Sequence, residues 1–269
     1  MTDNGLRVEI DDRVAVLTLD RPEVRNALNP RLQGAIVEAV RALEEDPRVH
    51  VIVLTGTDPA FCSGADLKEW VSNPVGFADR ERTPWRGILP PHRKPVIGAI
   101  NGPTATGGLE LALNCDFLVA SERAAFVDTH ARVGVMPGAG LTVLLAQRIG
   151  MARAKEMSLT GTYIDAPTAL AWGLVNRVVL HQLLLPTVRR LAGECAGIEL
   201  SAMLRMRQTY EENAGGTLDE AWEREEAVCR AWARDGYDAG AIDGQRQEVV
   251  RRGRDQLGTE KIDPGATPG

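Results

Sequence analysis

Two glycine-bearing turns and one carboxylate set among leucines carry the chemistry this sequence offers. The first turn, Ala60-Phe61-Cys62-Ser63-Gly64-Ala65-Asp66-Leu67-Lys68-Glu69, follows an apolar run at 49–55. The second, Asn101-Gly102-Pro103-Thr104-Ala105-Thr106-Gly107-Gly108-Leu109-Glu110-Leu111-Ala112, follows another at 95–100. A strand-to-helix turn leaves backbone N–H groups that no earlier carbonyl accepts, and the helix start adds partial positive charge. Two such donors aimed at one point form an oxyanion hole, worth roughly 3 kcal/mol of barrier per donor. Glycine lets the backbone bend sharply there and lets a ligand carbonyl come close. Glu110 lies beside Leu109, Leu111, Ala112 and Leu113. It reads either as a first-turn acid matched to the helix dipole or as a buried base that activates water. Neither GxGxxG nor GxxxxGK[ST] occurs, so dinucleotide and phosphate-loop readings fail.

Taken together, these turns resemble the crotonase (enoyl-CoA hydratase/isomerase) superfamily. The first matches its A-F-x-x-G-A-D-[LI]-x-E stretch. The second is similar to N-G-x-x-x-G-G-G-x-E, with Thr106 in place of the first glycine of the three. Arg132-Val-Gly-Val-Met-Pro-Gly-Ala-Gly-Leu141 resembles the G-x-x-P-G-x-G loop, and Leu159-Thr-Gly161 and Ala171-Trp-Gly-Leu-Val-Asn176 resemble later elements. Arg21-Pro22 and Asn26-Ala27-Leu28 fit the family's opening R-P-x-x-x-N-A-L, so the likeness runs in order from about residue 10 to 180. It implies an α/β fold, a spiral of ββα turns with a helical C-terminal region. It implies that Ala65 and Gly107 hold a thioester oxygen through their backbone N–H groups. It places Val24, Arg25, Ser63, Gly64, Ala65, Asp66 and Gly107 against coenzyme A, makes Glu110 the catalytic carboxylate, and calls for no metal or redox cofactor. Coenzyme A then enters only as part of the thioester substrate.

The family's second glutamate lies four residues before the first glycine of the G-x-x-P-G loop. Here that position is His130. A histidine is the commonest acid or base near neutral pH, so the replacement changes the available chemistry. His130 either supplies a proton at Cα or fills the site without transferring one, and Asp128 stands where it could orient the ring. His50, His92 and His181 have no motif around them and read as surface or structural residues.

The elements that must position these residues are legible in outline. Residues 13–20 form a β-branched run closed by Arg21-Pro22, hence a strand and a turn. Leu32, Ile36, Val40 and Leu43 recur at helical spacing after Pro30, a residue suited to a first turn. Runs at 49–55, 95–100 and 116–120 read as buried strands, with a short helix over 108–114. Strands and helices thus alternate. Beyond about 181 only helices are expected, at 189–195, 201–213, 218–234 and 241–252. The division falls at 195–200: an α/β core over 1–195 and a helical region over 196–269 for self-association, its last residues frayed. Residues 72–93 are rich in proline, glycine and charge and read as a long loop over the site. Arg80, Arg82, Arg86, Arg93 and Lys94 give that region positive charge, read either as a solvated loop or as an attraction for the phosphates of coenzyme A.

Composition bounds the rest. The chain has 269 residues, 44% hydrophobic but only 4% aromatic, so its core must be packed with Ala, Val, Leu and Ile. A net charge of −6 argues against a nucleic-acid partner. Cys62, Cys115, Cys195 and Cys229 form no CxxC pair and read as reduced, small apolar residues. No targeting segment and no run long enough to span a bilayer is visible, so a cytoplasmic enzyme without membrane contact is expected. The resemblance adds a homotrimer or dimer of trimers. Hydration of a 2-enoyl-CoA is the leading function. Isomerisation, decarboxylation or thioester hydrolysis on the same enolate, or acyl-CoA binding without turnover, stand as alternatives.

Overall fold

The computed structural model describes residues 4–72, 85–235, 245–246 and 249–253. The chain divides into two compact units, Met1–Arg207 and Gln208–Gly269.

In the first unit, β1 (Leu6–Asp11) and β2 (Val14–Leu19) form an antiparallel hairpin. Its two loop residues, Asp12 and Arg13, have φ of 42° and 64°, the twist a two-residue hairpin needs. Next comes α1 (Pro30–Glu45), where Asn29 accepts the Leu32 N–H at 2.9 Å and Pro30 occupies the first turn. Its buried stripe is Leu32, Ala35, Ile36, Val40 and Leu43. β3 (Val51–Gly56), α2 (Leu67–Ser72), β4 (Val96–Ile100), β5 (Thr104–Ala105), α3 (Gly107–Leu113), β6 (Phe117–Ser121) and β7 (Ala125–Val127) follow. Then come α4 (Leu141–Ile149), α5 (Met151–Thr160), β8 (Ile164–Asp165), α6 (Ala166–Trp172), β9 (Arg177–Val179) and α7 (Leu184–Ala196). The expected strands and helices are present, each within a residue or a few of its expected ends.

The six-stranded sheet runs β1-β2-β3-β4-β6-β9 and is parallel from β2 onward. Over β2, β3, β4 and β6 both its faces are covered, which is why these strands read as continuous apolar runs. Along β2 and β3, Ala15, Leu17, Ile52 and Leu54 enter one core with α1 and α3. Val14, Val16, Val51 and Val53 enter a second core on the opposite face. Leu184, Val188 and Ala192 of α7, one helical turn apart, cover that second face. Ala196 and Met203, which the sequence reading assigns to the helical region, are buried in the same core.

A second, three-stranded sheet, β5-β7-β8, was not foreseen. Thr104 pairs with Phe126 and Ala105 with Val127, in parallel. The residues leaving these two strands, Thr106-Gly107 and Asp128-Thr129-His130, therefore emerge side by side.

α8 (Leu200–Asn213) crosses the division at 207, and α9 (Leu218–Asp235) belongs to the second unit. Thr217 and Glu220 form a reciprocal cap on α9: the Thr217 N–H donates to the Glu220 carboxylate at 2.7 Å, and the Glu220 N–H to the Thr217 hydroxyl at 3.3 Å. The helix expected over 241–252 lies partly outside the described residues; 249–253 is helical.

Candidate active site

The two glycine-bearing turns are tied together by main-chain pairing. Cys62 bridges to Thr104, with the Ala105 N–H donating to the Cys62 carbonyl at 3.0 Å. Ala65 bridges to Leu28 through its neighbours: the Leu28 N–H donates to the Gly64 carbonyl at 2.7 Å, and the Asp66 N–H to the Leu28 carbonyl at 2.9 Å. The Ala65 N–H itself is left over. So is that of Gly107, the first residue of α3; among the described residues neither donates to a protein acceptor. A Cβ at Gly107 would stand 3.6 Å from the Ala65 nitrogen, so the two residues face each other. At Gly108 a Cβ would lie 2.2 Å from the Cys62 carbonyl oxygen, so only glycine permits this approach of the turns. Two open, convergent amides form a receptor for an oxygen that gains negative charge.

The side chains of Glu110, His130 and Asp128 are 7%, 9% and 3% exposed and form a buried row. Glu110 Oε1 accepts the Ala139 N–H at 2.7 Å, and its Oε2 stands 3.7 Å from His130 Nε2. His130 Nδ1 meets Asp128 Oδ1 at 2.6 Å, and the His130 main-chain N–H donates to the same oxygen at 3.1 Å. A carboxylate at Nδ1 places the ring's proton there and turns Nε2 toward Glu110. Burial pushes the Asp128 carboxyl upward, but hydrogen bonds from His130 and Ser158 outweigh it and hold the group below the usual carboxylate range. The Glu110–Nε2 gap exceeds a direct hydrogen bond, so neither group is spent on the other.

A family model for enoyl-CoA hydratase/isomerase matches residues 9–233. The chain belongs to that family. It is an acyl-CoA-processing enzyme of the enoyl-CoA hydratase type. A probable enoyl-CoA hydratase of Mycobacterium leprae is 38% identical over 212 residues, 77% of this chain and 81% of that one. The crystal structure of an enoyl-CoA hydratase from Mycobacterium smegmatis is 44% identical with a TM-score of 0.72, covering 86% of this chain and 98% of its own. That of a Bacillus anthracis enoyl-CoA hydratase is 28% identical with a TM-score of 0.82, covering 92% and 96%.

Within this enoyl-CoA hydratase/isomerase fold, the residues expected around coenzyme A fall into one neighbourhood. Val24 ends a short 3-10 turn, and Arg25 follows it with φ of 53°. Ser63 fastens both, its N–H donating to the Arg25 carbonyl at 3.0 Å and its hydroxyl to that of Val24 at 3.2 Å. The Asp66 carboxylate is held by Arg21 at 3.0 Å. Arg80 and Arg82 lie outside the described residues, as does 73–84 of the expected loop. Arg93 and Lys94 do not serve as free charge. Arg93 pairs with Glu44 at 2.9 Å, and buried Lys94 donates to the carbonyls of Leu43 and Asp46 at 2.6 and 2.7 Å.

The other histidines have structural partners. His181 bridges Asp58 at 2.9 Å and Ser121 at 3.0 Å, His50 meets the Ala196 carbonyl, and His92 lies against Arg207. Burial pushes the Cys62 and Cys115 thiols up to about 12, which removes them as nucleophiles. Among the described residues no group of three or more His, Cys, Asp or Glu side chains is placed to hold a metal ion, and no helix is long and apolar enough to cross a membrane. Sequence reasoning missed Ala139. Its contribution is a main-chain N–H, and its position inside the G-x-x-P-G-x-G loop was the only signal.

Proposed function

We propose that this chain hydrates 2-enoyl-CoA thioesters, with Ala65 and Gly107 as the oxyanion hole and Glu110 and His130 as the proton-transfer pair. The observation that supports it best is the buried row Asp128–His130–Glu110 beside two unspent amides. Glu110, as carboxylate, takes a proton from water while the water oxygen bonds to Cβ of the substrate. The C=C electrons move onto the thioester, whose oxygen becomes the enolate oxyanion held by the N–H groups of Ala65 and Gly107. His130, as imidazolium stabilised by Asp128, gives the proton from Nε2 to Cα. The proton on Glu110 then returns to Nε2, which restores both groups, and the sum is one water added across the double bond. No bond in this sequence needs a metal or a redox cofactor.

Val24, Arg25, Ser63, Gly64 and Asp66 are the proposed coenzyme A contacts. The region after about 195 is the proposed self-association surface of a homotrimer or dimer of trimers, in the cytoplasm; a monomer in sedimentation at micromolar concentration contradicts it. The activity is tested by incubation with enoyl-, acyl- and malonyl-type CoA esters and mass spectrometry of the products. A gain of one water on the enoyl ester supports hydration. Release of free coenzyme A, a shifted double bond or carbon dioxide loss replaces it with the corresponding reaction, and unchanged esters replace it with binding alone.

A further inference from the structure

Asn114 ends α3, one helical turn beyond Glu110, and its carboxamide uses every hydrogen-bonding position it has. Nδ2 donates to the Glu110 carbonyl at 2.9 Å and to the Ala139 carbonyl at 3.3 Å. Oδ1 accepts the Ile88 N–H at 2.7 Å and the Leu89 N–H at 3.4 Å. Two carbonyls on one side and two N–H groups on the other fix which end of the amide is which. Ala139 is thereby gripped twice: its carbonyl by Asn114 and its N–H by Glu110 Oε1, at 2.7 Å. The hydrogen bonds close a ring from the Glu110 carboxylate through Ala139 and Asn114 back to the Glu110 main chain. Gly87 completes the arrangement, with φ of 89° and a Cβ position only 2.0 Å from Asn114 Oδ1, so the 87–89 segment reaches Asn114 only with glycine there.

We infer that Asn114 is a positioning residue for Glu110, acting through the Ala139 main chain. This rests on the reading of Glu110 as the base that activates water. With the Ala139 N–H fixed on Oε1, the carboxylate cannot rotate, and Oε2 stays turned toward His130. The titratable groups facing Glu110 are His130 and, behind it, Asp128. Asn114 touches neither. It also joins the 87–89 segment to the site, so order in that segment and alignment of the base rise and fall together.

Asn114→Asp and Asn114→Ala separate the two jobs of the carboxamide. The aspartate keeps an acceptor for Ile88 and Leu89 and loses both donors; the alanine loses everything. If Asn114 positions Glu110, both folded variants lower kcat by roughly ten- to a hundredfold with little change in KM. In a Glu110→Gln background neither variant costs anything further. Should the aspartate variant fail to fold, the alanine variant carries the same readouts. Wild-type kcat in the Asn114 variants, with Glu110→Gln inactive, would overturn the inference and leave Asn114 an anchor for 87–89. So would losses that simply add in the double variants. Full turnover by Glu110→Gln alone would instead overturn the reading of Glu110, and this inference with it.

Discussion

The two halves of the site are made of different material. The half proposed to hold the thioester oxygen is main chain: the N–H groups of Ala65 and Gly107, neither of which has a protein acceptor among the described residues. The half proposed to move protons is side chain: Glu110, His130 and Asp128. A main-chain receptor constrains sequence by what must be absent, since a Cβ at Gly108 would strike the Cys62 carbonyl. A side-chain pair constrains only position. At 130 a histidine occupies the family's second glutamate site, and a neighbouring carboxylate at 128 supports it. On that proposal the scaffold exchanges its proton chemistry while the oxyanion half stays as it is.

The largest predicted effects test whether both halves are needed. Glu110→Gln keeps shape and removes the base, so kcat should fall by roughly 10²–10⁴ with substrate binding nearly intact. Gly107→Pro removes one oxyanion donor at the first position of α3, a position that tolerates proline in a helix. Its expected loss in kcat is roughly 10²–10³. Steady-state kinetics beside a thermal unfolding curve checks both. Wild-type turnover in folded Gly107→Pro would break the oxyanion half of the comparison.

A smaller effect is expected at His130, where the comparison is sharpest. His130→Ala should remove most hydration, while His130→Glu restores the two-glutamate pattern and should preserve or raise it. If His130→Ala hydrates enoyl-CoA as fast as wild type, the histidine transfers no proton and Glu110 acts alone.

The same division explains what was legible in the sequence. The main-chain half was readable because its glycines and flanking apolar runs sit at fixed offsets, and Gly64, Ala65, Gly107 and Gly108 all fall at the junction of the two turns. The buried strands announced themselves because both faces of the sheet are covered. Strand β1 did not, since its hairpin turns on Asp12-Arg13, without the Asn-Gly or Asp-Gly that marks such a loop. The small sheet escaped because β5 and β8 have two residues each, too short for any period to show. Arg93 and Lys94 looked like free charge in a basic stretch, but their partners, Glu44 and the carbonyls of residues 43 and 46, come from a distant helix end. Ala139 and Asn114 act through hydrogen bonds that depend on the folded path alone.

The smallest predicted effect concerns Asp128 and separates its support of His130 from a general role in stability. Its carboxyl is held below the usual carboxylate range by His130 and Ser158 despite burial. A group whose folded pKa is depressed stabilises the fold above its unfolded pKa, and that stability is lost as pH falls through the folded value. Asp128 should therefore contribute fully at pH 7 and progressively less on acidification below about 4. Asp128→Asn removes the charge but keeps an acceptor oxygen, so its cost at neutral pH should be about 1–2 kcal/mol and should vanish in acid. Denaturant unfolding of both proteins at several pH values reads this directly. The stability difference should shrink toward zero as pH drops; a constant difference would mean that the carboxylate charge plays no part. In the same variant, hydration should fall at least about tenfold, because a neutral amide does not stabilise the imidazolium as the carboxylate does. A variant destabilised as predicted yet hydrating at the wild-type rate would confine Asp128 to holding the turn after β7, and the proton-moving half would shrink to Glu110 and His130.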